Sequence, residues 1–592
     1  MRKKTAILMM ALLLSVTCLT ACNGSTSGSS NASAGSSGSS TVSGSGSTSQ
    51  AESSVTEASA VSSSEHFSDS DYKDVTNETA NAEITLSGST GTISDTTRGS
   101  SGSEVTITSK GIYRVTGSSE NVSIVINDTT ESGNIYLLLD NVTMNNTTAA
   151  CINVQACDKL IIQCAGESSL TLNSSDASLK TDGAVYTKDD VTINGSGTLN
   201  IISNLHGIVC KKDLKITDSK TSIQSDAIGI QCGSSLRMGG GTITVSSGHD
   251  GIQLADNDND SYFYFEKANL TVNSGYDGIS VKAGDSSKDF TGYVTLNGGT
   301  INIVTASGKG SSASKDSTTS QKGIKTDGML AIADTDLTVS SADDAIHGNA
   351  DISISSGTLK LSSSDDGITA SGKLTVNGGD ITVSQSYEGL EGAEIIINNG
   401  NFFVTSSDDG INTSGGSDSS QENDDPWNSG DTSAVLTING GNVYVNANGD
   451  GLDSNGSIYI TGGTVIVEGP SGSGNGALDK GDGSGCVASI TGGTVLAIGS
   501  TDMAVNFDSG TQCSALVNLS GSAGTAISVD DGSGFTYTAT KDFACAVYSS
   551  PNMTQGNSYT ITAGSSSATM DFSSGLYYSE VSGMGGPGNM RR

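Results

Sequence analysis

The sequence returns to one phrase every 21–22 residues. Between residues 343 and 455 it reads DDAIHG, SDDGITA, SYEGLEG, SDDGINT and NGDGLDSNGS, with the second acidic residue at Asp344, Asp366, Glu388, Asp409 and Asp450. The steps are 22, 22, 21 and 41, and the long step holds the insertion GGSDSSQENDDPWNSGDTS. Such a period narrows the fold before any residue is read singly. Within one repeat, Leu374-Thr375-Val376 alternates like a strand, because successive side chains point to opposite faces. Asn377-Gly378-Gly379 turns the chain, Ile381-Thr382-Val383 is a second strand, and the acidic-Gly-Ile phrase starts a third. Three short strands in about 22 residues fit one coil of an all-β, right-handed parallel β-helix.

In such a stack, equivalent positions of successive coils lie about 4.8 Å apart. Apolar positions become internal ladders, and the acidic positions become a ladder too. Two unit charges at that spacing repel by roughly 1 kcal/mol in bulk water and by several times that at lower dielectric. The ladder needs compensation from a bound cation, neighbouring lysines or shifted protonation. Calcium suits closely spaced carboxylates, and its candidate ligands are Asp343, Asp344, Asp365, Asp366, Asp408, Asp409, Asp450 and Asp453. Taken singly, each Asp-Gly pair is also ordinary turn chemistry.

Hydrophobic residues are 34% of the 592, beside 77 glycines and 4 prolines. A β-helix tolerates this balance because each coil needs only a thin apolar lining. The formal charge of −35 opposes nucleic-acid binding, which wants a positive footprint. It also opposes direct binding of an anionic polymer unless divalent cations bridge. Ten cysteines show no CxxC spacing for zinc or iron–sulfur. Cys210 and Cys232, in GIVC and GIQC, are expected on adjacent coils as a disulfide or as stacked thiols.

Along the chain, residues 1–22 read as a lipoprotein signal: Arg2, Lys3 and Lys4, then an apolar run from Ile7 to Val16. Leu19-Thr20-Ala21-Cys22 resembles a bacterial lipobox, which implies cleavage before Cys22, lipidation of its sulfur, and a protein anchored to the outer face of a bacterial membrane. Residues 23–64, nearly all Ser, Gly, Thr, Ala and Asn, read as a disordered tether. Residues 65–180 read as irregular N-terminal capping coils, 181–563 as the β-helix, and 564–592 as a C-terminal tail. In SYFYFEKANLTV, Tyr262 and Tyr264 share one face and Phe263 and Phe265 the other, so one face packs inward and the other is a sugar platform or further packing. The late stretch FACAVYSSPNMTQGNSYTITAG reads as a closing hairpin.

The motifs KGIKTDG, DDAIHG, SDDGITA, SYEGLEG, SDDGIN, GDGLDSNGS and GPSGSGNGALD, in that order, resemble a bacterial family of secreted carbohydrate-binding proteins. The likeness covers residues 83–563 and implies a right-handed parallel β-helix shaped like the polysaccharide lyases. It further implies a calcium-associated protein that adheres to cellulose or pectate without cleaving it, and the chain is expected to be a monomer. The positions matched for sugar contact are Lys322, Lys325, His347, Glu388, Glu391 and Asn412, with Trp427 of the insertion as a stacking residue or a loop anchor. One departure is Thr369, where the family pattern often has histidine.

Among hydrolytic signatures, neither GxSxG nor HExxH occurs, and there are four histidines: His66, His206, His249 and His347. Paired carboxylates abound, which makes them a weak sign of glycoside hydrolysis. The enzymatic alternative is a calcium-assisted pectate lyase with Lys322 or Lys325 as base, against the plainer role of those lysines in neutralising the ladder. A structural stalk without sugar specificity is the third reading.

Overall fold

The computed structural model describes residues 66–130, 133–257, 259–284, 291–308, 319–413, 433–472 and 474–581. Short strands stack in parallel into a β-helix with three lines of strands. On the first line, buried Val185, Ile208, Ile230, Ile252, Ile279 and Ile324 lie in register, continuing through Ile346, Ile368, Leu390 and Ile411 to Leu452. The second line runs from Leu160 through Phe263 and Ile352 to Ile458, and the third from Leu170 through Val272 and Leu361 to Val467. These aliphatic rows form one continuous core. In two coils the first- and second-line strands fuse, as Ile368–Val376 and Leu390–Ile397.

Two kinds of glycine shape each coil. The turn glycines of the Asn-Gly-Gly phrases adopt positive φ, 106° at Gly379 and 85° at Gly441, as turn chemistry requires. The glycine after each acidic residue does not. At Gly410 an added Cβ would lie 2.2 Å from Val445 Cγ1 and 2.5 Å from the carbonyl oxygen of Gly451 in the next coil. The Asp-Gly pairs sit at the corner into the first line, and close packing rather than positive φ requires their glycine. Their glycine lets the first line approach the third.

Parallel stacking begins where irregular first coils are expected and ends before residue 563. Strand Ala82–Gly88 already pairs in parallel with Gly111–Glu120, so from residue 82 the irregular first coils belong to the same stack, with register shifts. Parallel pairing reaches Ser509–Gly510. Beyond it, Phe543–Ser549 pairs antiparallel with both Thr494–Gly499 and Ser514–Gly521, which covers the open edge of the last coil. A separate antiparallel sheet follows, built from Ala526–Val529, Thr536–Thr538, Ser558–Ala563 and Ser566–Asp571. The expected hairpin is absent: Phe543–Ser549 and Ser558–Ala563 belong to different sheets. Buried Glu468 ties this cap to the coils, accepting from Tyr537 Oη at 2.8 Å and from Thr540 N–H at 2.6 Å.

At the other end of the chain, residues 66–76 form a strap across the outer face of the second line. Asp71 is fully buried there. It pairs with Lys159 and with Lys215 Nζ (3.1 Å), and accepts from Thr192 Oγ1 at 2.6 Å. His66 stacks on Tyr264 with centroids 3.6 Å apart, and the Arg237 guanidinium lies over Tyr262. Phe263 and Phe265 point inward and are fully buried. The Tyr262–Tyr264 face is thus covered by the strap and is not a sugar platform. The eight described cysteines are free and buried, and Cys210 and Cys232 lie in register as thiols.

Candidate functional site

The first line carries the chemistry on its entry corner and on its outward face. Two residues before each buried aliphatic stand, coil by coil, Asp250, Asp277, Lys322, Asp344, Asp366, Glu388, Asp409 and Asp450. One residue after it stand Gln253, Ser280, Lys325, His347, Thr369, Glu391, Asn412 and Asp453. The acidic column is therefore longer than the five positions of the densest motifs. Asp250 and Asp277 extend it, and Lys322 interrupts it. The signal was present in HDG, YDG and KGI, which keep the repeat's place.

Backbone geometry explains the acids. At this corner the N–H of one coil points at the carboxylate of the coil before it. Asp277 N–H donates to Asp250 at 3.2 Å, Lys322 N–H to Asp277 at 2.9 Å, and Asp366 N–H to Asp344 at 3.2 Å. Glu388 N–H donates to Asp366 at 3.0 Å, Asp450 N–H to Asp409 at 2.6 Å, and Gly476 N–H to Asp450 at 2.5 Å. A charged acceptor on an otherwise unpaired amide is a strong hydrogen bond, so each acid has a structural task.

Charge compensation divides the column. Oxygens of Asp343, Asp344 and Asp365 lie within 4.8 Å of one another, close enough to hold a metal ion. The chain already supplies the cation: Lys322 Nζ lies 2.5 Å from Asp344 and 3.1 Å from Asp343. His347 Nδ1 is 2.8 Å from Asp344, and its Nε2 is 2.9 Å from Asn349 Oδ1. Burial would raise the Asp344 carboxyl, but His347 and Lys322 overrule it and hold it below the usual carboxylate range. Lys322 and His347, expected to touch sugar, are instead buried within this internal network.

From Asp366 onward the compensation stops. Asp366, Glu388, Asp409, Asp450 and Asp453 form no ion pair among the described residues. Burial first, and neighbouring carboxylates second, push Asp366 up to about 9 and Glu388 to about 8. Burial and neighbouring acids likewise move Asp450 to about 7 and Asp409 to about 6, and raise Asp453 well above its usual value. Asn412 sits in register between Glu391 and Asp453. Its Nδ2 donates to Glu388 Oε2 at 3.0 Å, while its buried Oδ1 has no partner. Thr369, at the position of the departure, donates to Asp366 at 3.3 Å. Asp365 and Asp408 lie one residue earlier, half-buried on the solvent side. Trp427 and Cys22 lie outside the described residues.

On the other side of Lys322, the same line opens into a groove of about 410 Å³. Asp250, Gln253, Tyr276, Asp277, Ser280, Lys282, Ser320 and Lys325 line it. The exposed Tyr276 ring stacks on His249 at 4.7 Å, with planes 4° apart. Of this groove the sequence reading singled out only Lys325 as a binding residue.

The first line is thus a continuous polar strip with a groove at one end and, at the other, Asp366, Glu388, Asp409, Asp450 and Asp453, in no ion pair among the described residues. A stretch of 130 residues is 29% identical to a carbohydrate-binding domain-containing protein of Acetivibrio thermocellus, covering 21% of this chain and 45% of that relative. The chain therefore spans under half the length of the curated relative it matches. A solved structure of a polysaccharide lyase-like protein from C. thermocellum, a gadolinium derivative, aligns with 47% of this chain and 96% of its own at 23% identity and a TM-score of 0.33. The model of the carbohydrate-binding domain-containing protein family matches residues 101–367 and 364–532, and over that span, which takes in both the groove and the acidic column, the chain belongs to this carbohydrate-binding domain family.

Proposed function

We propose that this protein binds plant cell-wall polysaccharide, pectate or cellulose, at a bacterial surface, held there by a lipid on Cys22, and that it adheres without cleaving. Calcium assists at the uncompensated end of the strip. The observation that carries the calcium assignment is the buried, unpartnered Oδ1 of Asn412 among Glu388, Glu391 and Asp453. A neutral amide oxygen beside several carboxylates is a donor set suited to a hard cation. Glu388, Glu391, Asp409, Asn412 and Asp453 are the residues that fit it. Asp343 and Asp344 do not, because Lys322 already neutralises them. Bound there, calcium would supply positive charge to the stack and to the acidic or hydroxylated edge of an extended glycan.

The lyase alternative needs a base. Lys322 is unsuited, since its ammonium is buried against two carboxylates. Lys325 alone stays in contention. The test incubates the protein with polygalacturonate or cellulose, in calcium or in EGTA. It follows both co-sedimentation and the ultraviolet absorbance of unsaturated uronate products. Calcium-dependent co-sedimentation without new absorbance is the expected result. A steady rise in absorbance would make the protein a lyase. No binding to either polymer would leave the stalk reading.

A further inference from the structure

The groove before Lys322 has a chemistry distinct from the acidic column beyond it. Two of its walls are ammonium groups. Lys282 forms no ion pair among the described residues, and Lys325 reaches only Ser320 Oγ, at 3.4 Å. Nearby carboxylates are already engaged. Asp250 accepts from Gln253 Nε2 at 2.7 Å and from the Asp277 amide, and Asp277 accepts from the Lys322 amide. In a chain of net charge −35, two lysines facing one cavity, near Asp250 and Asp277 but in no salt bridge among the described residues, are an exception to be explained. The Tyr276–His249 stack adds a flat wall, and Ser280 and Ser320 add hydroxyls. The volume, about 410 Å³, is in the range of small-ligand sites.

We infer that this groove is a uronate subsite, in which Lys282 and Lys325 hold the carboxylate of an acidic sugar while Ser280, Ser320 and Gln253 meet its hydroxyls. The inference rests on the polysaccharide-binding reading and deepens it by naming the sugar class. It also separates two modes of holding an acidic glycan. Direct ammonium contacts act here, and calcium acts beyond Asp366. In a chain this acidic, a groove where Lys282 and Lys325 balance Asp250 and Asp277 is the local relief of negative charge that seats a uronate without a metal.

The test measures binding of oligogalacturonate and of its fully methyl-esterified form to the full-length protein by calorimetry, in calcium and in EGTA. The variants are Lys282→Gln, Lys325→Gln and Lys282→Arg, with Lys360→Gln on the exposed third line as control. Thermal unfolding confirms that each variant folds. Each Lys→Gln change is expected to weaken oligogalacturonate about tenfold, the loss of one charge-assisted contact. The methyl ester should be unaffected, and Lys282→Arg should keep most of the affinity. Unchanged affinity in both Gln variants, or an equal loss on the methyl ester, overturns the subsite and leaves polysaccharide binding standing. Binding of neither oligosaccharide by the unaltered protein, in calcium or EGTA, overturns the subsite and the pectate half of the broader reading, leaving cellulose.

Discussion

At the scale of single residues, the acidic column shows two solutions to one electrostatic problem. Around Asp344 the solution is covalently built in, through Lys322 and His347. Replacing Lys322 with Met should leave Asp343 and Asp344 buried without their ammonium partner, with His347 alone facing Asp344. That should destabilise the protein by about 3–5 kcal/mol, read from chemical denaturation. From Asp366 on, protons take the place of the missing cation. An acid whose folded pKa stands above its unfolded value keeps its proton better in the fold. Between about pH 5 and the raised values, about 9 at Asp366 and about 8 at Glu388, the folded chain thus binds more protons than the unfolded one. Stability in EGTA should therefore fall as pH rises through this window. Calcium should flatten the fall, and a stability that rises with pH in EGTA would contradict the assignment. Part of this contrast was legible in the sequence, because KGI takes the place of DGI in the repeat. What the letters did not give was where the Lys322 ammonium points or that Asn412 Oδ1 is stranded, since both depend on side-chain packing between coils.

At the scale of elements, the strap at residues 66–76 is the clearest addition to what the repeat implied. The three-strand coil and the Asn-Gly-Gly turns follow from the 22-residue period. The strap follows no period, and Asp71 pairs with Lys159 and Lys215 from far along the chain. For the same reason the C-terminal end departs from the repeat. Strands after Ser509–Gly510 alternate well yet pair mostly antiparallel, Ser514–Gly521 with Tyr577–Ser579 being the parallel exception. Alternation identifies a strand but not its partner. Burial would raise the Asp71 carboxyl, but Lys159 and Thr192 hold it below the usual range. A depressed carboxyl contributes stability above its unfolded pKa of about 4 and loses it as pH falls through the folded value. The strap should thus loosen only under strong acid, the opposite sign to the acidic column. Asp71→Asn should loosen it at neutral pH, leaving two lysines without their counter-ion. Limited proteolysis at residues 66–76 is the measurement. Protection unchanged from the parent protein would show that stacking of His66 on Tyr264 holds the strap without the ion pairs.

At the scale of the whole molecule, a solenoid is nearly one-dimensional, so each coil depends chiefly on its neighbours. This makes the asymmetry of the first line a prediction about local stability. Asp344 has its own counter-charges in Lys322 and His347, and Asp366, Glu388, Asp409, Asp450 and Asp453 form no ion pair among the described residues. A ligand that binds only the folded form stabilises it by about 2.7 kcal/mol at a hundredfold excess over its dissociation constant. In a repeat stack that gain should stay near the site. Hydrogen exchange in calcium against EGTA should therefore slow in Leu390–Ile397, Ile411–Thr413 and Leu452–Ser454, while His206–Cys210 and Ile230–Cys232 exchange as before. Oligogalacturonate added in EGTA should protect the coils around Ile279–Ala283 and Ile324–Thr326, which bear Lys282 and Lys325. Two separate footprints on one strip would mean that calcium and ammonium groups grip different stretches of the same glycan. A single footprint shared by both ligands would instead place calcium in the groove, and Asn412 would then need another partner for its buried oxygen.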